Sequence, residues 1–219
     1  MLHLLATLLL YLYRKILIIM SHDTEYHNFV SEKEKELHRL KSYAPDKYDS
    51  LQLFNKKYCD KKWNEYVKKH FDKKNPVAFY RSWVDDIGVL AISTNIHDQF
   101  KRYELYQSLK KHIHRNHVLL DIGCGSAALY WEMLKDNEVF LVDLPNENQK
   151  YVEFKSQDDS RKHVCTLSNL DQSLVFDTIL IIDVLEHLKN PSQFFIENVH
   201  RRLKMGGLLF IQAPWGGHP

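Results

Sequence analysis

The second half of the sequence predicts an α/β fold, a Rossmann-like and mostly parallel sheet with helices on both faces, preceded by a helical N-terminal region. Three observations predict it. From Val118 onward, short apolar runs rich in β-branched residues alternate with helical or loop stretches. The first of these runs ends at Asp121 and a turn that contains Gly123 and Gly125. Before Val118, apolar residues recur at helical spacing and Gly88 is the only glycine.

Length and composition indicate one globular domain, alone or with an appended segment. The chain has 219 residues and a formal charge of +2, which is too small to indicate nucleic-acid binding by itself. We therefore expect no nucleic acid among its partners. Its three cysteines, Cys59, Cys124 and Cys165, lie far apart and lack metal-ligand spacing, so we expect a reduced, cytoplasmic compartment.

Residues 1–20 form the most apolar segment, and they leave three interpretations open. A membrane span needs about 20 mostly apolar residues, and Arg14 and Lys15 interrupt this run. The segment is a membrane-surface or single-span anchor, a mis-assigned start with Met20 as the initiator, or a helix packed on the domain. The first interpretation adds association with a membrane to the cytoplasmic localisation.

Residues 21–99 form the predicted helical region, which we expect to cover the site as a lid. Ser31 and Glu34 have the spacing of a capping box, and Pro45 is expected to end the helix that follows them. A second helix has one apolar stripe, made of Trp63, Tyr66, Val67, His70 and Phe71. Lysines occupy its other face, which is a solvated surface or a basic surface for an acidic substrate or an anionic membrane.

Two further helices are predicted before the first strand. One lies within residues 75–94, and the next runs from Asn95 towards His117. The second of them leads directly into the strand at Val118, so it is expected to pack beside the glycine turn. Its placement brings three side chains within reach of whatever binds there, namely Arg102, Tyr103 and Tyr106.

Five strands follow, and the last helix lies before the fifth. The strands are VLLDI, VFLVD, HVCTL, TILIID and GLLFIQA. Asn190 and Pro191 have the residue types that begin a helix, and Gly206 with Gly207 is expected to end it. The predicted inner stripe of this helix is Phe195, Ile196, Val199 and Leu203.

The glycine turn and the strand ends predict a ligand site. A strand, a G-x-G turn and a helix in direct succession would point backbone N–H groups outward towards a polar ligand. Ligands of open α/β sheets bind beyond the carboxyl ends of the strands, where Asp121, Asp143 and Asp183 stand. Asp143 closes the second strand, where a carboxylate accepts hydrogen bonds from ribose hydroxyls. Asp121 would repel a pyrophosphate and suits an ammonium group, which disfavours a NAD(P)-binding oxidoreductase.

With these motifs the sequence resembles the class I S-adenosylmethionine-dependent methyltransferases, in particular the broad small-molecule group. LLDIGCGSA is similar to the first motif of that family, and VFLVDLP to its acidic second-strand motif. The block from FDTILIID to the closing LKMGGLLFIQAP is similar to the region of its fourth and fifth strands. The resemblance covers Phe100 to Pro214, and we assign residues 100–219 to the methyltransferase domain.

The resemblance implies a role for each matching position. The methionine moiety of S-adenosyl-L-methionine would be held by Asp121, Gly123 and Gly125, and Cys124 between the two glycines is also counted as cofactor-binding. Asp143 would bind the ribose with Leu144 beside the adenine, and Asp183 would lie near the sulfonium. Two positions depart from the pattern: Ala127 replaces a glycine and requires a negative φ, and only Ser168 and Asn169 are available to the adenine amino group.

The predicted function is methyl transfer to an unidentified acceptor, taken to be a small molecule. Glu186 and His187 are the candidate catalytic residues, with His187 as general base or as part of the pocket wall. No metal is assigned; the alternative is a site formed by Asp183, Glu186 and His187 with His200 or His218. A catalytically inactive, methyltransferase-like binding module is a further alternative. The family fold usually ends with two more strands, so we expect a chain truncated after WGGHP or an edge that another chain covers.

Overall fold

The structure is a computed structural model that describes residues 24–72 and 74–213. The helices are α1 (24–43), α2 (Pro45–Ser50), α3 (Lys56–His70), α4 (Pro76–Arg81), α5 (Asp85–Gln99), α6 (Tyr103–His112), α7 (Glu147–Ser156) and α8 (Pro191–Phe195). Residues 1–20, with their three interpretations, lie outside the described part. No helix in that part is long and apolar enough to cross a membrane.

One five-stranded sheet organises the second half of the chain. Its strands are β1 (Val118–Ile122), β2 (Glu138–Val142), β3 (Lys162–Cys165), β4 (Phe176–Ile182) and β5 (Leu203–Gln212). The order is β3-β2-β1-β4-β5, and every neighbouring pair is parallel. β1 lies at the centre, with Leu119 opposite Val139 on one side and Thr178 on the other. The predicted fold class is confirmed.

Two apolar clusters cover the two faces of this sheet, because successive side chains of a strand point to opposite faces. Leu119 of β1 belongs to the larger cluster, which also contains residues of α1, α3, α5, α6 and α7. Leu120 belongs to the second cluster, which packs under α8 and contains the buried Val199. The N-terminal helices therefore share a core with one face of the sheet.

The first helix does not begin at the predicted capping box. α1 is helical from residue 24, so Ser31 and Glu34 lie in its interior. Pro45 occupies the first turn of α2 and begins that helix, because a missing N–H has no consequence there. The domain boundaries at residues 20 and 99 stay a prediction.

Residues 76–112 form three helices where the sequence predicted two. α4 and α5 replace the single helix predicted over residues 75–94, and a turn at residues 100–102 separates α5 from α6. α5 is buried along most of its length, as expected of a central helix. At Gly88 an added Cβ would lie 2.3 Å from Cβ of Glu147, so this glycine allows α5 and α7 to approach closely.

The predicted helix after the glycine turn is absent from the described structure. Residues 126–130 form turns and a short 3-10 helix follows at Trp131–Leu134. Ala127 has a φ of +48°, in contrast to the negative value that we expected. A left-handed residue at this position interrupts helical geometry, which is the physical reason for the difference.

The last helix is also shorter than predicted. α8 continues as one π-helical turn, Ile196–His200, and β5 already begins at Leu203. Gly206 and Gly207 therefore lie inside a strand, beside a register shift between β4 and β5. Ile196 is exposed instead of contributing to the inner stripe, whereas Val199 is fully buried.

Candidate functional site

The sheet brings three carboxylates to one edge. Asp121 lies near the end of β1, and Asp143 and Asp183 directly follow β2 and β4, the two neighbours of β1. Because the strands are parallel, their carboxyl ends meet at the same edge. The three predicted aspartates are thus neighbours around the glycine turn, although long stretches of sequence separate them.

Most N–H groups of the glycine turn are bonded within the protein, so the prediction that they point outward is wrong. The N–H groups of Gly123 and Cys124 donate to the carbonyl of Val142, at 2.7 and 3.2 Å. The N–H of Gly125 donates to Oδ2 of Asp143 at 2.7 Å. Since no helix begins here and both glycines have a positive φ, the turn curls back onto the end of β2.

Gly123 is required by its contact with the segment after β4. Its φ is +72°, and an added Cβ would lie 2.3 Å from Cγ2 of Val184. The glycine turn is therefore packed directly against the loop that carries Asp183. The position tolerates no side chain without movement of one of the two loops.

Asp143 holds the turn through both carboxylate oxygens. Oδ2 accepts from Gly125, and Oδ1 accepts from the N–H of Leu144 at 2.7 Å. Enclosure by protein raises the pKa of Asp143 to about 6, and the two backbone N–H donors act in the opposite direction. Each oxygen retains a second lone pair, so the carboxylate can still accept hydrogen bonds from a ligand.

Asp121 is buried, with a relative exposure of 1%. Its Oδ2 accepts a hydrogen bond from the hydroxyl of Tyr130 at 2.6 Å, and its Oδ1 has no partner among the described residues. Burial raises the pKa of Asp121 to about 7, and the charge of Asp143 contributes in the same direction. A buried acceptor without a donor is an unusual feature that a ligand with N–H donors would satisfy.

Cys124 contributes its backbone to the turn and not its thiol. The side chain is buried, and burial raises the pKa of the thiol well above its ordinary value. Its carbonyl accepts from the N–H of Ala127 at 2.8 Å. The arrangement gives no support to a nucleophilic role for this cysteine.

Asp183 is paired across the mouth of the site with Arg102. Nη1 of Arg102 donates to Oδ2 of Asp183, and the two side chains are each about one-third exposed. Arg102 thus reaches the strand edge as the sequence predicted. Tyr103 and Tyr106 do not, because their rings pack on Phe29 of α1 at 5.1 and 5.0 Å between centroids.

α5 covers the glycine turn through two amide side chains that the sequence reasoning missed. Oγ of Ser126 donates to Oδ1 of Asn95 at 2.7 Å, and the N–H of Leu129 donates to Oε1 of Gln99 at 3.0 Å. The two amides are four residues apart and therefore share one face of α5. Two amides four residues apart within the helical pattern were the available signal in the sequence.

Glu186 and His187 lie in the 3-10 turn Leu185–His187 that follows Asp183. Oε1 of Glu186 lies 3.8 Å from Nε2 of His187, which is longer than a hydrogen bond. The imidazole packs on the ring of Tyr80 at 4.9 Å between centroids. Burial, together with the charge of Glu186, raises the pKa of Tyr80.

The remaining predicted contacts lie around this centre. Ser168 and Asn169 are exposed in the loop after β3, where Oγ of Ser168 lies 2.9 Å from Oγ1 of Thr166. Their contact with an adenine stays a prediction. Within residues 24–72 and 74–213, no three His, Cys, Asp or Glu side chains are grouped as metal ligands, and His218 lies outside that part.

Comparison with known proteins identifies the domain. Residues 120–209 match the sequence model of a family described as a methyltransferase domain. The prediction of a methyltransferase domain is confirmed for this segment.

The curated relatives are similar to this chain over about half of it. The tRNA U34 carboxymethyltransferase of Pseudoalteromonas atlantica is 28% identical over 116 residues, which are 49% of this chain and 36% of that protein. The tRNA U34 carboxymethyltransferase of Pectobacterium carotovorum is 27% identical over 106 residues, which are 45% of this chain and 32% of that protein. The chain thus spans about a third of the length of these relatives.

Two solved methyltransferase structures are similar to this chain at a lower level. The plantazolicin methyltransferase BpumL, solved with S-adenosylhomocysteine, has a TM-score of 0.44 and 19% identity, over 67% of this chain and 58% of that one. Coclaurine N-methyltransferase has a TM-score of 0.42 and 22% identity, over 53% of this chain and 34% of that one.

The expectation that nucleic acid is absent from the partners is wrong. The curated relatives that match the chain are named as enzymes of tRNA. The expectation was drawn from the net charge of the whole chain, which conceals how the charge is distributed along it.

Proposed function

We propose that this chain, whose residues 120–209 form a methyltransferase domain, transfers a one-carbon group from S-adenosyl-L-methionine to a nucleotide of an RNA. The single observation that supports S-adenosyl-L-methionine as the donor is the arrangement of Asp121, Asp143 and Asp183 around the glycine turn. The tRNA named for the curated relatives supports the acceptor. The proposal replaces the small-molecule acceptor that the sequence suggested.

The residues present fit this donor. The unpartnered Oδ1 of Asp121 is a buried acceptor that an ammonium group would satisfy. Asp143 has free lone pairs for two ribose hydroxyls, and Leu144 offers an apolar contact beside it. The carboxylate of Asp183 lies at the third strand end and favours a cationic group there.

When bound, S-adenosyl-L-methionine supplies a methyl group attached to a positively charged sulfur. The sulfur is the leaving group and becomes a neutral thioether. The protein then has to hold the acceptor in line with that bond, and well-oriented reactants recover about 7–11 kcal/mol of barrier. Asp183 would stabilise positive charge at the strand edge while its partner Arg102 moves aside. Glu186 and His187 follow Asp183 directly and lie near the acceptor side.

His187 is the proposed general base, which takes the proton of an acceptor N–H or O–H group as the new bond to carbon forms. His187→Gln is expected to lower kcat by about 10²–10⁴-fold and to remove the dependence of kcat on histidine ionisation, while the Kd of S-adenosyl-L-methionine stays unchanged. The matched control is His163→Gln. This histidine also lies near a glutamate, but it is on β3 and is not one of the proposed site residues. An unchanged pH profile of kcat in the His187 variant would assign that side chain to the pocket wall.

Asp143 provides the test of the donor site. Asp143→Asn is expected to weaken binding of S-adenosyl-L-methionine by about 1.5–3 kcal/mol per lost charge-assisted hydrogen bond, as measured by isothermal titration calorimetry. Asp158→Asn removes an exposed charge without a described partner and should leave the Kd unchanged.

The same titration separates the alternatives. An inactive module that has lost the donor site binds neither S-adenosyl-L-methionine nor its demethylated product. A NAD(P)-binding oxidoreductase binds a dinucleotide in their place. Mass spectrometry of the nucleosides from treated tRNA then identifies the group transferred, and an unmodified tRNA would contradict the RNA acceptor.

A further inference from the structure

The charge of the chain is concentrated in one segment. Residues 56–74 contain eight lysines and three acidic residues, a formal balance of +5, whereas the whole chain carries +2. The remainder of the sequence is therefore acidic on balance. A basic segment of this kind is the electrostatic feature by which proteins attract a polyanion.

Three of these lysines form a stripe along α3 that faces solvent. Lys57, Lys61 and Lys68 are spaced by four and seven residues, which places them on one side of the helix, and all three are exposed. None of them forms an ion pair with any described residue. Their charges are thus available to an external partner.

A second row of α3 side chains lines a cavity next to this stripe. The cavity has a volume of about 470 Å³ and lies between α3 and α5. Its walls include Tyr58, Lys62, Tyr66 and Lys69, together with the acidic Glu65 and Asp86. Nζ of Lys62 lies 5.9 Å from the centre of the Tyr58 ring, so this wall combines aromatic faces with positive charge.

The rings of Tyr66 and His70 form the wall between this cavity and a second one. They are stacked, with centroids 4.4 Å apart, and both line the second cavity of about 320 Å³. Aromatic faces beside lysines are the combination that holds single-stranded RNA, because bases stack while phosphates bind the charges.

This surface is connected to the candidate catalytic edge through packed rings. Tyr66 contacts Phe79 with centroids 5.8 Å apart, and Phe79 contacts Tyr80 at 5.4 Å. Tyr80 in turn contacts His187 at 4.9 Å. An RNA strand on α3 would therefore lie on the side of the site where the acceptor enters.

We propose that the exposed lysine stripe of α3 and the aromatic cavity beside it form the docking surface for a single-stranded region of the acceptor RNA. This inference rests on the proposed RNA acceptor and deepens it. The lysines contact phosphates, and the tyrosines of the cavity stack on bases.

Fluorescence anisotropy with the full chain and end-labelled, unfractionated tRNA tests the surface. Lys61→Ala combined with Lys68→Ala should weaken tRNA binding about tenfold at physiological salt. It should also reduce the slope of log Kd against log salt by about 1.4, the value for two single-strand phosphate contacts. Lys111→Ala with Lys135→Ala is the matched control, since both lysines are exposed and neither pairs with a described residue.

The expected result is a loss confined to the α3 variant, with unchanged Kd for S-adenosyl-L-methionine and with 4-thiouridine cross-links in residues 56–70. Equal losses in both variants overturn the surface. So does wild-type binding to phosphatidylglycerol vesicles without binding to tRNA. Donor binding without tRNA binding overturns the surface and the RNA acceptor but leaves the methyl donor. If tRNA binds through α3 but the protein does not bind S-adenosyl-L-methionine, the docking surface is supported and the proposed transfer is disproved.

Discussion

Gly123 and Gly206 have nearly the same backbone conformation in different surroundings. Their φ values are +72° and +78°. A Cβ on Gly123 would lie 2.3 Å from Cγ2 of Val184, whereas nothing lies within 4 Å of a Cβ on Gly206. The pair therefore separates the cost of a left-handed residue from the cost of a steric clash.

Gly206→Ala is expected to lower the free energy of unfolding by about 1–2 kcal/mol, the cost of the left-handed conformation alone. Gly123→Ala should lower the free energy of unfolding by more than Gly206→Ala does. It should also weaken donor binding, because the clash displaces the turn from β4. Adding Val184→Ala to Gly123→Ala should recover part of both losses. Urea unfolding and calorimetry measure these effects, and equal losses in the two single variants would disprove the role of Val184.

At the scale of elements, α1 is held to the glycine turn by a buried ionic cluster. Nζ of Lys155 on α7 lies 3.0 Å from Glu36 of α1, and the two side chains are 0% and 1% exposed. The same ammonium donates to the carbonyl of Ser126 at 2.9 Å and lies 4.0 Å from the centre of the Trp131 ring. Burial lowers the pKa of Lys155 to about 8, so this charge depends on Glu36.

Glu36→Ala is expected to destabilise the protein by about 3–5 kcal/mol, because Lys155 would remain buried without its partner. Replacing both residues, as Glu36→Ala with Lys155→Met, should cost less than Glu36→Ala alone. Glu34→Ala on the exposed face of α1 is the control. Thermal or urea unfolding gives the comparison, and a double variant as unstable as the sum of the single variants would show that the two charges are not coupled.

At the scale of the whole molecule, the buried carboxylates make stability depend on pH. The pKa of Asp121 is raised to about 7 in the folded state from an ordinary value near 4. Between these values the folded state binds more protons than the unfolded state, so the contribution of Asp121 to stability falls as pH rises. A cationic ligand would favour the ionised form and would therefore bind more tightly at higher pH.

Asp121→Asn should become more stable relative to the wild type as pH rises from 5 to 8, by about 2–3 kcal/mol. Other carboxylates also contribute to the pH dependence of stability, such as Asp159, whose pKa is lowered to about 2 by its hydrogen bond with Arg161. Their contributions are the same in the variant and the wild type, so they cancel in the difference between the two. Urea unfolding at several pH values measures the difference. A constant difference across this range would mean that Asp121 remains ionised in the folded protein.

The distribution of charge belongs to the same scale. The basic segment on α3 and the acidic strand edge lie on different elements, and Tyr80 connects them through His187. A polyanion is attracted to the first and a cation to the second. This separation agrees with a donor that carries a sulfonium and an acceptor that carries phosphates.

The sequence by itself determined the strands, their carboxyl-end aspartates and the domain family. Periodicity and residue type act locally, so the five strands were predicted in the correct succession, with Asp121, Asp143 and Asp183 at the ends of the first, second and fourth, although β5 begins four residues earlier than expected. Helix ends were predicted less well. A proline can follow one helix or begin the next, and a glycine can end a helix or lie in a strand. The sequence therefore left the places of Pro45 and Gly206 open, and packing determined them.

Only the tertiary structure decided how the site is enclosed. The spacing of the glycines could not reveal that Val142 and Asp143 accept hydrogen bonds from the N–H groups of the turn, since these contacts depend on how β1 and β2 align. Nor could it reveal the pairing of Arg102 with Asp183, which are 81 residues apart. Local sequence determines which groups are present, whereas long-range packing determines which of them a ligand can reach.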